Sequence, residues 1–370
     1  MARGEALLVL EDGYTLRGRS YGAIGTTVGE AVFTTGMTGY QETLTDPSYH
    51  RQVVVATAPH IGNTGVNDED DESDRIWVAG YVVRDPARIA SNWRATGDLE
   101  ERLVAEKIVG ICEVDTRALT RHLRERGAMR VGISSEGIDP TTLLNRVLAS
   151  PLMVGANLSA EVTTPQPYVV PAEGEHRFTI AALDLGVKRN TPRRLAARGV
   201  QTHVLPANAT IDDVVATGAD ALFLSNGPGD PATADGPVAL TREALQRRIP
   251  VFGICFGQQI LGRALGFGTY KLLYGHRGIN QPVLDRATGR VEVTAHNHGF
   301  AVDAPRETVT ETEFGAVEVS HICLNDGVVE GLRCRDVPAF SVQYHPEAAA
   351  GPHDADYLFD RLVTLIEGAR

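Results

Sequence analysis

Cys255 is the residue around which chemistry can be built. In Gly253-Ile254-Cys255-Phe256-Gly257-Gln258-Gln259, a glycine stands two positions before the cysteine and another two after it, and the run follows the apolar stretch Pro250 to Ile254. This spacing predicts a sharp turn from a buried strand into a helix. The turn lifts Sγ above the sheet edge, at the positive end of the helix, where the thiolate is favoured. The plain alternative is a buried small hydrophobe, the usual state of a free cysteine, and Cys112, Cys323 and Cys334 are assigned to it. The flanking glycines favour a nucleophile at Cys255.

A cysteine nucleophile needs a base and a group to orient that base. The apolar run Ala339 to Tyr344 leads into His345-Pro346-Glu347. On extended backbone, positions i and i+2 share a side, so Glu347 is placed to accept from the imidazole nitrogen that faces away from sulfur. Either residue alone reads as a surface histidine or a capping glutamate; the ordered pair after a strand is more specific. Ser225-Asn226-Gly227-Pro228-Gly229-Asp230-Pro231 follows another apolar run. It reads as a loop whose Gly229 amide, with that of Phe256, forms an oxyanion hole. His296-Asn297-His298-Gly299-Phe300 holds two histidines at i and i+2, but no third ligand stands at convincing spacing. No metal is expected there, and the segment reads as a loop whose backbone contacts a polar substrate.

These residues need a sheet edge to hold them. From Phe178 onward, apolar runs alternate with amphipathic stretches: strands at Phe178 to Leu185, Val200 to Leu205, Ala219 to Ser225 and Pro250 to Ile254, and helices at Thr191 to Arg198, Ile211 to Thr217, 236–248 and Phe256 to Leu265. Strand–helix alternation predicts an α/β fold with a mainly parallel, doubly wound sheet, whose functional groups gather outside the C-terminal ends of the strands. Residues 1 to about 60 read as β structure with tight turns. Helices are expected at Asp98 to Lys107, at Asp115 to Arg126 with Thr116 or Asp115 as cap and Gly127 at the end, and at 139–150. The acidic run Asp68 to Asp74 reads as a solvated loop or helix start. The expected division is a domain over 1–150, a proline-rich linker over 151–177 and a second domain over 178–370.

Composition narrows the function classes. The chain has 370 residues and a formal net charge of −12, which argues against a nucleic-acid or anionic-lipid surface. No apolar run reaches the length of a spanning helix, and Ala6 to Leu10 is too short for a secretion signal. Four scattered cysteines without a CxxC pair point to a reducing, cytoplasmic setting without a structural zinc. The chain has only three lysines, Lys107, Lys188 and Lys271, which reads as a composition bias.

Gly253 to Gln259, Ser225 to Pro231 and His345-Pro346-Glu347 resemble the class I (triad) glutamine amidotransferases. Met37 to Glu42, Thr45 to Tyr49, Pro59 to Asn63 and His296 to Phe300 are similar to the small subunit of carbamoyl phosphate synthetase, and the likeness spans almost the whole chain. The resemblance implies a glutaminase: Cys255 attacks the side-chain amide carbon of L-glutamine, His345 moves protons, Glu347 steadies His345, and water releases glutamate from a thioester. It implies glutamine binding by Ser48, Gly227, Gly229, Phe256, Gln259, Asn297, Gly299 and Phe300. Because Ser48 comes from the N-terminal domain, it also implies a site at the domain interface. Ammonia then passes by tunnel to a large subunit that uses ATP, magnesium and bicarbonate to make carbamoyl phosphate for arginine and pyrimidine synthesis. The N-terminal domain is the expected docking surface of that heterodimer, and this subunit itself is expected to hold no cofactor.

Two positions depart from the family's elbow, Gly-x-Cys-Leu-Gly-His-Gln: this chain has Phe256 and Gln258 at the Leu and His positions. Phe256 still offers its amide, and Gln258 replaces an imidazole that is not the family's base, so a modest effect is expected. A glutaminase component for anthranilate or guanylate synthesis, or a γ-glutamyl hydrolase, would lack the N-terminal domain. A non-catalytic docking subunit would have no need of Cys255, His345 and Glu347 together.

Overall fold

Alternation along the strand Phe178–Asp184 sends Ile180 and Ala182 to one face of a sheet and Ala181 and Leu183 to the other, and all four side chains are buried. Strands Ala221–Leu224 and Val251–Ile254 repeat the pattern, Phe223, Phe252 and Ile254 joining the first face, Leu222, Leu224 and Val251 the second. Burial on both faces is what a parallel sheet covered by helices requires. In the computed structural model, which describes residues 3–369, the strands Val200–Pro206, Phe178–Asp184, Ala221–Leu224, Val251–Ile254 and Ala339–Val342 lie side by side in that order, all parallel. Helices Asp235–Gln246 and Phe256–Ala264 cover one face through Leu240, Leu245, Ile260 and Leu261. Asn190–Ala196 and Tyr357–Ala369 cover the other through Leu195, Leu358, Phe359 and Leu362. The sheet is doubly wound, as expected.

Antiparallel strands extend this sheet on both sides. Tyr168–Val170, inside the proline-rich stretch, pairs with Val200–Pro206. Beyond Ala339–Val342 come Val329–Cys334, Gly315–Cys323, Gly268–Asp285 and Arg290–Asp303. The segment His296 to Phe300 is therefore strand and not loop. Its strand signal is masked because the positions it buries are the polar His296, Asn297 and His298.

The chain divides into two units: the residues up to Met153 with Leu273–Gly278, and Val154–Leu272 with the residues from Ile279 onward. In the first, seven strands among the described residues close a barrel. Its order is Glu5–Leu10, Thr15–Gly22, Val109–Cys112, Gly80–Val82, Gln52–Ala56, Thr26–Thr34 and Met129–Ser134, the last pairing back on the first through Leu7 and Ser134. Closure removes the open edges that a β-rich sequence otherwise exposes. The expected helices form at Leu99–Ala105, Thr116–Arg126 and Pro140–Ala149, with Asp98, Asp115 and Asp139 as caps; each accepts from first-turn amides. The acidic run Asp68 to Asp74 is loop, but not simply solvated: Asp70 pairs with Arg94 at 2.6 Å and Asp71 with Arg102 at 2.7 Å.

Candidate active site

Strand Val251–Ile254 ends and helix Phe256–Ala264 begins with a single residue between them. That residue is Cys255, at φ 57° and ψ −104°. Backbone of this kind in a non-glycine residue costs on the order of 1–3 kcal/mol and persists only where its surroundings hold it. Two glycines make the turn possible. A Cβ on Gly257 would stand 2.1 Å from the Leu224 carbonyl oxygen, and one on Gly253 would stand 2.5 Å from that of Gly257. The Cys255 amide donates to the Val342 carbonyl at 2.9 Å, fixing Cys255 to the strand that delivers His345.

His345 follows that strand, and its amide donates to Ala295 at 2.8 Å. Its Nδ1 lies 2.7 Å from Glu347 Oε1, as the i, i+2 spacing predicts. Nε2 makes no hydrogen bond among the described residues, so it is the ring nitrogen left to face sulfur. Cys255, His345 and Glu347 are all buried, at 2%, 3% and 0% exposure. Burial and the Lys188 ammonium push the His345 pKa down, but Glu347 and Cys255 outweigh them and hold it well above its ordinary value. Burial pushes Glu347 up, but Lys188 and His345 outweigh it and keep the carboxylate ionised.

Lys188 was not singled out by the sequence reading. Its Nζ lies 2.7 Å from Glu347 Oε1, with both side chains almost wholly buried. It sits just past the strand Phe178–Asp184, on a turn pinned by Asp184, whose Oδ1 accepts from the amides of Gly186 and Val187. The signals that could have found it are its rarity and its place at a C-terminal strand end. The same turn holds the Ser225 to Pro231 loop: Ser225 Oγ accepts from the Leu185 amide, and Asn226 Nδ2 donates to the Gly186 carbonyl.

Asn297 meets the thiol, since Cys255 Sγ donates to its carbonyl at 3.5 Å. Phe300 accepts from Gln259 Nε2 at 2.9 Å, and the same nitrogen donates to Gln343 Oε1, so Gln259 ties the helix after Cys255 to the strand Arg290–Asp303. Gly299 lies between them on that strand. Gly227 and Gly229 sit on the loop after Ala221–Leu224, and Phe256 opens the helix with a first-turn amide that has no intrahelical acceptor. Gln258 is turned into the core, where its Nε2 donates to Val329 O at 3.1 Å and its Oε1 accepts from Ser341. Ser48 belongs to the first unit, buried on a short turn, with its amide donating to Asp46 Oδ1.

A strained cysteine at a strand–helix elbow, beside an imidazole–carboxylate pair, can perform acyl transfer through a thioester. Residues 8–133 match the family described as the carbamoyl-phosphate synthase small chain, CPSase domain, and residues 181–365 match the class-I glutamine amidotransferases. A carbamoyl phosphate synthase small chain of Streptomyces avermitilis is 70% identical over 100% of this chain and 98% of its own length. The chain belongs to the carbamoyl phosphate synthase small chain family.

Two further family members bracket the likeness. The small chain of Streptomyces coelicolor is 70% identical, covering 100% of this chain and 97% of its own length. That of Mycobacterium tuberculosis H37Rv is 62% identical, covering 98% and 99%. The order of the two matched regions agrees with the β-rich first half and the doubly wound second half. No helix among the described residues is long and apolar enough to cross a membrane. Within the second unit, His296, His298 and Glu330 bring donor atoms within 4.8 Å of one another, a grouping that the i, i+2 histidines alone did not reveal.

Proposed function

We propose that this small chain hydrolyses L-glutamine at Cys255 and supplies the ammonia to a larger, ATP- and bicarbonate-using partner that makes carbamoyl phosphate. The observation that carries the reading is the pairing of His345 Nδ1 with Glu347 at 2.7 Å, on the strand to which the Cys255 backbone is bonded. His345 Nε2 takes the Cys255 thiol proton as the sulfur attacks the amide carbon of glutamine, forming the C–S bond and opening the C=O bond to an oxyanion that the amides of Gly229 and Phe256 receive. His345 Nε2 gives its proton to the departing nitrogen as the C–N bond breaks. Water, deprotonated by the same nitrogen, then splits the thioester to glutamate and restores the thiol.

Ser48, Gly227, Gly229, Phe256, Gln259, Asn297, Gly299 and Phe300 bind glutamine in this reading, several through backbone atoms that suit a zwitterion. Ammonia travels to the partner by an internal tunnel, within a cytoplasmic heterodimer serving arginine and pyrimidine synthesis; ATP and magnesium belong to the partner. The test is Cys255→Ser in the reconstituted complex. Glutamine-dependent synthesis falls by about a thousandfold or more, while synthesis from added ammonia stays within about twofold. Loss of both would overturn the reading. Glutaminase turnover by the lone chain is weak and rises when the partner binds; equal turnover with and without it would count against coupling.

A further inference from the structure

Phe340, Val342 and Tyr344 pack on one face of the sheet, so Ser341, Gln343 and His345 leave the same chain by the other. That face meets the helix Phe256–Ala264. Ser341 Oγ donates to Gln258 Oε1 at 3.4 Å, and Gln343 Oε1 accepts from Gln259 Nε2 at 3.1 Å. The second of these bonds settles an orientation. The Phe300 carbonyl can only accept, so the Gln259 atom 2.9 Å from it is the amide nitrogen. That nitrogen carries two hydrogens, and Gln343 Oε1 takes the other one. With both engaged, the polar atom Gln259 still offers is Oε1, which accepts and cannot donate.

Gln343 is oriented in turn. Turned over, its amide would set nitrogen against nitrogen, so the oxygen faces Gln259. Its own Nε2 is then buried without a hydrogen-bond partner among the described residues. An unmet donor in a dry interior is a cost that an apolar side chain of equal length would avoid. What the position gains from a glutamine is therefore the oxygen. Gln259 stands one helical turn after Cys255, and both reach the strand Arg290–Asp303, Cys255 at the Asn297 carbonyl and Gln259 at that of Phe300. An acceptor held beside the thiol suits an N–H of a bound amino acid and repels its carboxylate. We propose that Gln343 is a positioning residue, which pins the Gln259 amide so that an acceptor alone faces glutamine. Gln343 itself does not touch the substrate.

This role rests on the glutaminase reading and on Gln259 binding glutamine, and the test keeps them apart. In the reconstituted complex, Gln343→Met removes the oxygen and keeps the length of the side chain. KM for glutamine rises about five- to twentyfold while kcat stays within about threefold. Added to Gln259→Met, the same change raises KM by less than about a further twofold, because one side chain acts through the other. Gln343→Glu keeps an oxygen where Oε1 stands; its KM stays within about threefold of the parent, and it carries the test should the methionine variant fold poorly. Synthesis from added ammonia reports the folding of each variant. A parental KM in Gln343→Met, a loss confined to kcat, effects of the two methionine changes that multiply, or a KM in Gln343→Glu raised as far as expected for methionine would overturn the positioning role. A parent complex that makes no carbamoyl phosphate from glutamine would instead overturn the glutaminase reading.

Discussion

Lys188 Nζ and His345 Nδ1 both lie 2.7 Å from one oxygen of Glu347, Oε1, while Oε2 is buried without a hydrogen-bond partner among the described residues. One carboxylate oxygen thus serves two cations in a dry site. Its negative charge is shared, so Lys188 sets how strongly Glu347 raises the basicity of His345.

Removing that lysine should alter the base without touching the nucleophile. Lys188→Met frees Glu347 to act on His345 alone and removes the charge that pushes the imidazole pKa down. The imidazolium then persists to higher pH, so the basic limb of the glutaminase pH profile moves upward. Breaking a buried pair also destabilises by about 3–5 kcal/mol. We expect kcat to fall about ten- to a hundredfold with KM for glutamine changed little, and ammonia-dependent synthesis to persist in the complex. An unshifted pH profile would reduce Lys188 to a structural role.

The elbow tolerates no side chain at Gly257. A methyl group there would meet the Leu224 carbonyl at 2.1 Å, with backbone on both sides of the contact. Gly257→Ala should displace the start of the helix, cost at least about 1–3 kcal/mol of stability and abolish glutamine-dependent activity. Thermal unfolding and single-turnover acylation measure the two effects separately. Activity near that of the parent would show that the turn can relax.

Gln258 answers to the core rather than to the thiol. Gln258→Leu leaves the Val329 carbonyl without its side-chain donor, at a cost of about 1–3 kcal/mol. Glutaminase kcat/KM should stay within a few-fold of the parent. A loss of about a hundredfold in activity at unchanged stability would place Gln258 in the reaction after all.

Glu42 gives a pH signature in the barrel unit. Burial, helped by Asp70 and Glu72, raises its pKa to about 7 from an ordinary value near 4.5. A carboxyl held above its unfolded value stabilises while protonated, so its contribution is fully present below about pH 4.5 and is lost as pH rises through about 7. Glu42→Gln should therefore match the parent at pH 4 and exceed it by roughly 1–3 kcal/mol at pH 8. Chemical unfolding at the two pH values is the measurement; a constant difference would refute the linkage.

Much of the site was legible in local sequence because its parts are local devices. Glycine spacing around Cys255 dictates an elbow, and two positions along extended backbone dictate the His345–Glu347 pair, whatever the rest of the chain does. The helix starts near Asp98, Asp115 and Asp139 were equally readable, since each is set by a residue that bonds to amides two or three positions on; the structure chooses Asp115 over Thr116 as the cap of the second. Strand Arg290–Asp303 was not, because its buried positions are polar and carry no apolar alternation.

By itself the sequence pointed to the Cys255 elbow and the His345–Glu347 pair as a candidate site, and it determined the doubly wound sheet under them and the family. Only the tertiary structure decided that Lys188 meets Glu347, that Glu330 meets His296 and His298, and that Gln258 points to Val329. The physical reason is distance along the chain. A turn or a cap is fixed by neighbours in sequence, whereas a buried charge finds its partner through strand order, and strand order is set by the packing of both sheet faces at once.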